Sequence, residues 1–207
     1  MIEGAPFLLF LGGALLLNIT PGPDMAFTLA SAARGGARAG IAAAIGVGAG
    51  ALGWTLATAV GLAAMLAASE HALNIIRIVG GLYLLYLAVR TMMEKPAPIG
   101  AEGRANPLQS FRAGALTNLF NPKVGLFFLA FLPGFANPEA GAVWLEIMTL
   151  GAIFSFTGTC VLVLVAFAAG ALRRKLVESP KAQARMKTLS ASVYGALGLY
   201  LLTSHAK

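Results

Sequence analysis

Apolar residues fall in six stretches, at about residues 5–33, 38–67, 72–93, 111–133, 142–172 and 186–204, separated by short polar or charged segments. Each is near or above the roughly 18–20 residues that a helix needs to cross a bilayer, so the pattern predicts six transmembrane helices. The first and fourth are interrupted. Thr20-Pro21-Gly22-Pro23-Asp24 sets two prolines and a carboxylate inside the first run, and Asn121-Pro122-Lys123 sets a proline and an ammonium inside the fourth. Pro21 removes the helical hydrogen bond to the Leu17 carbonyl and Pro23 the one to Ile19, with Gly22 giving the chain freedom between them. In hydrocarbon, freed backbone groups are tolerated only where protein or a water-filled cavity surrounds them. Pro21, Gly22, Pro23 and Pro122 are therefore read as helix-break and gating positions.

Composition places the whole chain in the membrane. Hydrophobic residues make up 58% of it, charged residues only 11%, and mean hydropathy is +0.80, whereas soluble domains carry about 25% charged residues. The expected class is an all-α, polytopic membrane protein. The net charge of +7 does not indicate nucleic acid, because the basic residues lie between spans without interleaved aromatics. A lone Cys160 excludes a disulfide framework. His71 and His205 sit at predicted span ends and form no ligand cluster, so neither a metal nor a cofactor is expected. The first apolar run is preceded by Glu3 without Lys or Arg, is longer than a signal core and shows no convincing cleavage site, so it is expected to be retained.

Twelve of the fifteen Lys and Arg residues fall in three loops: Arg34 and Arg38 after span 1; Arg90, Lys95, Arg104 and Arg112 after span 3; Arg173, Arg174, Lys175, Lys181, Arg185 and Lys187 after span 5. The loops around Glu70 and Glu139 hold none. By the positive-inside rule the basic loops are cytoplasmic and both termini face outward.

An internal repeat joins the halves. Gly81-Leu82-Tyr83-Leu84-Leu85 recurs letter for letter as Gly198-Leu199-Tyr200-Leu201-Leu202, and the break at Thr20-Pro21 then corresponds to that at Asn121-Pro122. Three spans per half is an odd number, so the halves enter the membrane from opposite sides, as inverted repeats do in many secondary transporters. One domain over 1–207 is expected, with repeat one at about 5–93, a cytoplasmic linker at about 94–110 and repeat two at about 111–204. Span 2 carries Gly36, Gly40, Gly46, Gly50, Gly53, Ala57 and Gly61, most of them spaced by four. Small residues at that spacing let helices approach closely, so Gly46, Gly50, Gly53 and Gly61 are read as packing positions rather than ligand contacts. Ser155, Thr157, Thr159 and Cys160 in span 5 are ambiguous, since helical hydroxyls often bond their own backbone.

The chemistry concentrates in Asp24 and Lys123, the acid and the base nearest the middle of any span. An ionised group there costs about 2.5–3.5 kcal/mol on insertion scales and usually faces a cavity or a partner. Asp24 has a purely structural alternative as a first-turn carboxylate favoured by the helix macrodipole. Lys123 has less of one. If Asn121 caps and Pro122 opens a half-helix, the ammonium lies at the wrong end of that dipole, and at roughly 16 Å from either span end it is too deep to snorkel. It is expected to need an anion: Asp24, a substrate carboxylate, or each in turn. Thr20, Asn121, Asn118 and Asn18 flank the breaks and complete the expected substrate and ion site. A small zwitterion would set its carboxylate near Lys123 and half-helix amides, and its ammonium near Asp24, Thr20 and freed carbonyls. Protonation of Asp24 would couple export to the proton gradient.

At these residues the chain resembles the LysE/RhtB family of bacterial amino-acid exporters, through Thr20-Pro21-Gly22-Pro23-Asp24-Met25, Gly80-Gly81-Leu82-Tyr83-Leu84-Leu85, and Asn118 through Phe128 leading to Leu132-Pro133. The likeness runs essentially end to end. It implies six spans, a homodimer, and export of amino acids or derivatives such as lysine, threonine, homoserine or homoserine lactone across the inner membrane, driven by ion gradients. One departure from the family pattern is Gly134, where many members have glutamine. Other classes lack their chemistry: a membrane thiol carrier needs a cysteine pair, a metal-ion exporter several converging ligands, an enzyme a nucleophile with its base, an ATPase a phosphate-binding loop. An exporter of a cation or other small solute, and a structural membrane protein, remain the alternatives; the latter gives no reason for two proline breaks and two central charges.

Overall fold

A computed structural model describes residues 4–68, 72–93, 106–136, 142–169 and 179–203. The described residues are helical, without strands. In order they form α1 (Ala5–Ile19), α2 (Pro23–Ala68), α3 (Ala72–Met93), α4 (Pro107–Leu119), α5 (Pro122–Leu126), a π-turn (Phe127–Phe131), a 3-10 turn (Leu132–Phe135), α6 (Val143–Phe167) and α7 (Pro180–Thr203). Glu70, Glu139, His71, His205, most of the 94–110 linker and the basic cluster Arg173–Lys175 lie outside the described residues.

The chain breaks where its prolines require it. α1 stops at Ile19 and α2 restarts at Pro23, while α4 and α5 are separated at Phe120 and Asn121. Asn106 and Asn121 cap their helices alike: each side-chain oxygen accepts the backbone N–H two residues on, and proline holds the first helical position, where its missing N–H costs nothing. A third break, at Gly36 inside α2, falls in the short basic loop expected between the first two spans. Gly36 has φ 71° and ψ −174°, a region essentially reserved for glycine. The chain folds back there, since a β-carbon at Gly40 would lie 2.6 Å from that of Ala32, whereas eight residues of straight helix span about 12 Å. Gly36 is thus a hinge, with nothing within 4 Å of its missing β-carbon, and not one of a row of packing glycines.

Two helical segments of the described residues are long and apolar enough to cross a membrane, 23–61 and 143–167, and a third if 107–119 and 123–135, bent by 51°, are one span. The first of these covers parts of two expected spans, because the reversal at Gly36 divides it. α1 falls short alone because the proline break ends it. Lys181, Arg185 and Lys187, expected in a loop, lie in the opening turns of α7, and Arg112 lies on α4, because Pro180 and Asn106-Pro107 start those helices earlier than hydropathy suggests.

α2 packs along α4 and α6, and α3 along α7. Glycines make these approaches. Gly46 abuts the Phe111 carbonyl, Gly114 the Ala43 carbonyl, and Gly50 the Ala115 carbonyl and Asn118, while Gly53 meets Leu119; the register rises on both helices, so the second part of α2 runs parallel to α4. Gly40 meets Ala166, Gly48 meets Thr159 and Thr55 meets Gly151, so α6 runs antiparallel to it. In α3 and α7 the contacts are reciprocal: Gly81 meets Leu202 and the Gly198 carbonyl, while Gly198 meets Leu85 and the Gly81 carbonyl. Gly61, expected as a packing position, meets nothing within 4 Å among the described residues. A cluster of Phe10, Phe127, Phe128, Phe131, Phe135 and Phe154, with Phe127 stacked on Phe154 at 4.5 Å, fills the centre beneath the breaks. Large apolar side chains such as Leu8, Leu56, Val60, Phe156 and Leu164 face outward, as a lipid-bathed surface would.

Candidate functional site

The two proline breaks meet. Lys123, second residue of α5, reaches across to the end of α1, where its Nζ donates to the carbonyls of Leu17 at 3.2 Å and Thr20 at 3.0 Å. Leu17 is the carbonyl that Pro21 leaves without a helical donor, so the freed acceptor and the buried cation satisfy each other. Lys123 is only 8% exposed. The expectation that it needs an anion is corrected here: its ammonium sits at the wrong end of its own half-helix but at the C-terminal, electronegative end of another. Gly22 makes room for it, since a β-carbon there would lie 3.2 Å from Nζ.

Asp24, in the first turn of α2 and 8% exposed, accepts a hydrogen bond on Oδ2 from Asn118 Nδ2 at 2.9 Å. Its Oδ1 is buried without a close hydrogen bond, although the Asn121 amide also acts on the carboxylate. No hydrogen bond, and no nitrogen–oxygen approach within 4 Å, joins Asp24 to Lys123, although the two charges act on each other. Asn118, 1% exposed, is held by its backbone as well: Pro122 frees its carbonyl, which accepts from the Trp54 indole N–H at 3.3 Å and from the Asn121 N–H at 3.0 Å. The arrangement has internal symmetry. Counted from Pro21 and Pro122, Leu17 and Asn118 are equivalent, as are Gly22 and Lys123, and each freed carbonyl is taken by a side chain from a distant segment.

Asp24, Lys123, Thr20, Asn118 and Asn18 line one small cavity of about 30 Å³, room for about two water molecules. Thr20 contributes its carbonyl, its hydroxyl being bonded back to Leu16. Asn18 donates to the Phe154 carbonyl at 3.3 Å and to Thr157 Oγ1 at 3.1 Å, which ties α1 to α6. Asn121 does not line the cavity: its oxygen caps Lys123 N–H at 3.1 Å and its amide nitrogen is buried without a close hydrogen bond. The remaining walls are mostly apolar, with Met25, Val47, Phe154 and Leu162 facing Ser155 and Thr159. Sequence reasoning left Ser155 and Thr159 ambiguous and missed the apolar walls and Trp54. A tryptophan inside a span carries an N–H that burial obliges to find an acceptor, and that was the available signal.

The chain matches the LysE type translocator family over residues 15–205. A membrane protein of Vibrio cholerae, described as uncharacterised, is 27% identical over 97% of this chain and 98% of its own length. The Escherichia coli membrane protein YahN, also described as uncharacterised, is 28% identical over 94% and 86%. The leucine efflux protein of Salmonella typhimurium is 30% identical over 71% and 72%. No solved structure matches significantly. The matched stretch contains both proline breaks and every residue of the site just described, and the chain belongs to the LysE type translocator family.

Proposed function

We propose that the chain exports a neutral, aliphatic amino acid or close derivative from the cytoplasm across the bacterial inner membrane, in exchange for protons, through the cavity between the two breaks. The observation that carries this is the meeting of Asp24, Asn118, Thr20 and Lys123, from segments about a hundred residues apart, on one cavity. Its polar end offers one acid and one base, which suits a zwitterion. Among the described residues its other walls hold no second acid, so a lysine side-chain ammonium would be left unpaired, whereas Met25, Val47, Phe154 and Leu162 suit an apolar side chain. The Salmonella relative's name, leucine efflux protein, points the same way. The reciprocal contacts of α3 with α7, and the parallel and antiparallel packing of α2, support six spans arranged as two inverted repeats with both termini outside. Asp24 is the proton carrier and Pro21, Gly22, Pro23 and Pro122 give the two half-helices their freedom to rock.

The test is a comparison of intracellular and extracellular metabolites in cells lacking and overproducing the protein, fed leucine-containing dipeptides to raise cytosolic amino acids. Overproduction should lower internal and raise external leucine or a similar amino acid. Asp24→Asn and Lys123→Ala should each abolish this while remaining in the membrane. Unchanged distributions of all amino acids would reject the substrate class, and normal export by both variants would reject the site.

A further inference from the structure

We propose that the Leu17 and Thr20 carbonyls at the end of α1 are the subsite for the substrate's primary ammonium, and that Lys123 occupies it as a tethered stand-in while the site is empty. The inference rests on the reading of this cavity as the transport site. Three features carry it. First, the Lys123 ammonium is held by two carbonyl oxygens, at 3.2 and 3.0 Å, and by no carboxylate; any alkylammonium of like size finds the same acceptors. Second, Leu17, Thr20, Asp24 and Lys123 all line the cavity, so the held group and its replacement meet at one place. Third, an acceptor for the displaced ammonium already exists: Asp24 Oδ1 is buried without a close hydrogen bond, the Asn121 amide being the other group that acts on this carboxylate, and it is within electrostatic range of Lys123.

An arriving zwitterion then exchanges rather than adds. Its ammonium takes the two carbonyls, Lys123 moves to the Asp24 oxygen and the substrate carboxylate, and the net charge of the site is unchanged. The ligand class is a primary or otherwise unblocked amine on a compact apolar body; an N-acylated amino acid cannot displace the lysine. Because an internal occupant competes, apparent affinity is reduced by the fraction of time the carbonyls stand vacant.

The full chain in lipid nanodiscs, labelled with 15N at its lysine side chains, is titrated with leucine, with isopentylamine, which keeps the side chain and the amine, and with 4-methylpentanoate, which keeps the side chain and the carboxylate. The Lys123 Nζ resonance is identified by its loss in Lys123→Met, or by Lys123→Arg should the former fail to accumulate. Leucine and isopentylamine should both move that resonance, 4-methylpentanoate alone should leave it in place, and Lys123→Met should bind isopentylamine about ten-fold or more tightly than the wild type. Isopentylamine that binds without moving the resonance overturns the stand-in, as does an affinity that Lys123→Met leaves unchanged. Leucine binding and export with an unmoved resonance would reject this inference alone; absence of leucine binding and export in the wild type would reject the transport reading beneath it.

Discussion

Breaking the bond between Asn118 and Asp24 should cost more than a typical contact between membrane helices, and the cost should depend on pH. The bond is 2.9 Å long, both residues are less than a tenth exposed, and Asp24 Oδ1 has no close hydrogen bond to share the load. A hydrogen bond to a charged group contributes about 1.5–3 kcal/mol, whereas side-chain bonds between membrane helices average about 0.6 kcal/mol in double-mutant cycles. The two figures are far enough apart to decide which kind of bond this is. Asn118→Ala strips the carboxylate of its side-chain donor, Asp24→Ala strands a buried amide, and the double variant does neither. It should therefore be less destabilised than the sum of the singles by the coupling energy. Reversible unfolding in SDS of the four proteins measures it. We expect about 1.5–3 kcal/mol on the alkaline side, where Asp24 is ionised. The contact is made by the amide N–H, so as it stands the bond is at full strength to a carboxylate and weaker to the acid. The coupling is stability present while Asp24 is ionised and lost as falling pH protonates it, declining toward about 0.6 kcal/mol. A coupling near 0.6 kcal/mol at every pH, or one that grows on acidification, would refute an ionised Asp24 anchored by Asn118.

Four further outcomes follow from the packing. Gly46→Leu and Gly114→Leu each drive a side chain into a facing backbone carbonyl and should cost about 3 kcal/mol or more in the same unfolding assay, whereas Gly61→Ala, with nothing within 4 Å of its missing β-carbon among the described residues, should stay within about 0.5 kcal/mol. Gly36→Ala puts a side chain where φ is 71° and ψ is −174°; we expect a loss of about 1–3 kcal/mol, and an unchanged midpoint would show that the reversal tolerates other residues. Trp54→Phe removes one of two donors to the Asn118 carbonyl and should cost about 0.5–1.5 kcal/mol; a larger loss of stability would mean that the indole carries more of the joint than this bond. A C-terminal reporter active only outside the cytoplasm should be active, and cytoplasmic activity would reverse the orientation.

The breaks, the charges and their partners were legible to different degrees, for physical reasons. Proline chemistry is local, so the ends of α1 and α4 and the freed Leu17 carbonyl follow from the residues themselves. That Asp24 and Lys123 line one cavity required only that two charges in lipid avoid hydrocarbon. Lys123's actual partners were not legible, because a carbonyl at the end of a distant half-helix leaves no mark in the sequence as an acceptor. Gly36 was misread because a glycine used for its backbone freedom looks the same as one used for its small size, and only the φ of 71° separates them. The start of α7 at Pro180 was missed because hydropathy sees only the apolar part of a helix whose first turns carry Lys181 and Arg185. The aromatic cluster spans α1, the π-turn and α6, a convergence that no periodicity along one segment announces.

What allows these breaks in a membrane is also what limits how tightly the site can hold its cargo. An unsatisfied backbone group costs several kcal/mol in hydrocarbon, so Leu17 and Asn118 cannot keep bare carbonyls at rest; Lys123 supplies the donor to the first, and Trp54 with the Asn121 N–H supplies the second. The structural joint and the polar end of the cavity are therefore made of the same atoms. A ligand that engages the Leu17 and Thr20 carbonyls must first release Lys123 from two hydrogen bonds, and gains only the difference between the new partners and the old. If substrate binds by exchange as proposed, binding would be weak for a given number of contacts, and that weakness would serve a carrier, which must let go on the far side and gains nothing from a deep ground-state well. The same exchange would tie occupancy to movement, because Lys123 bridges α5 to the end of α1, and releasing it would free the two half-helices from each other as the cargo arrives.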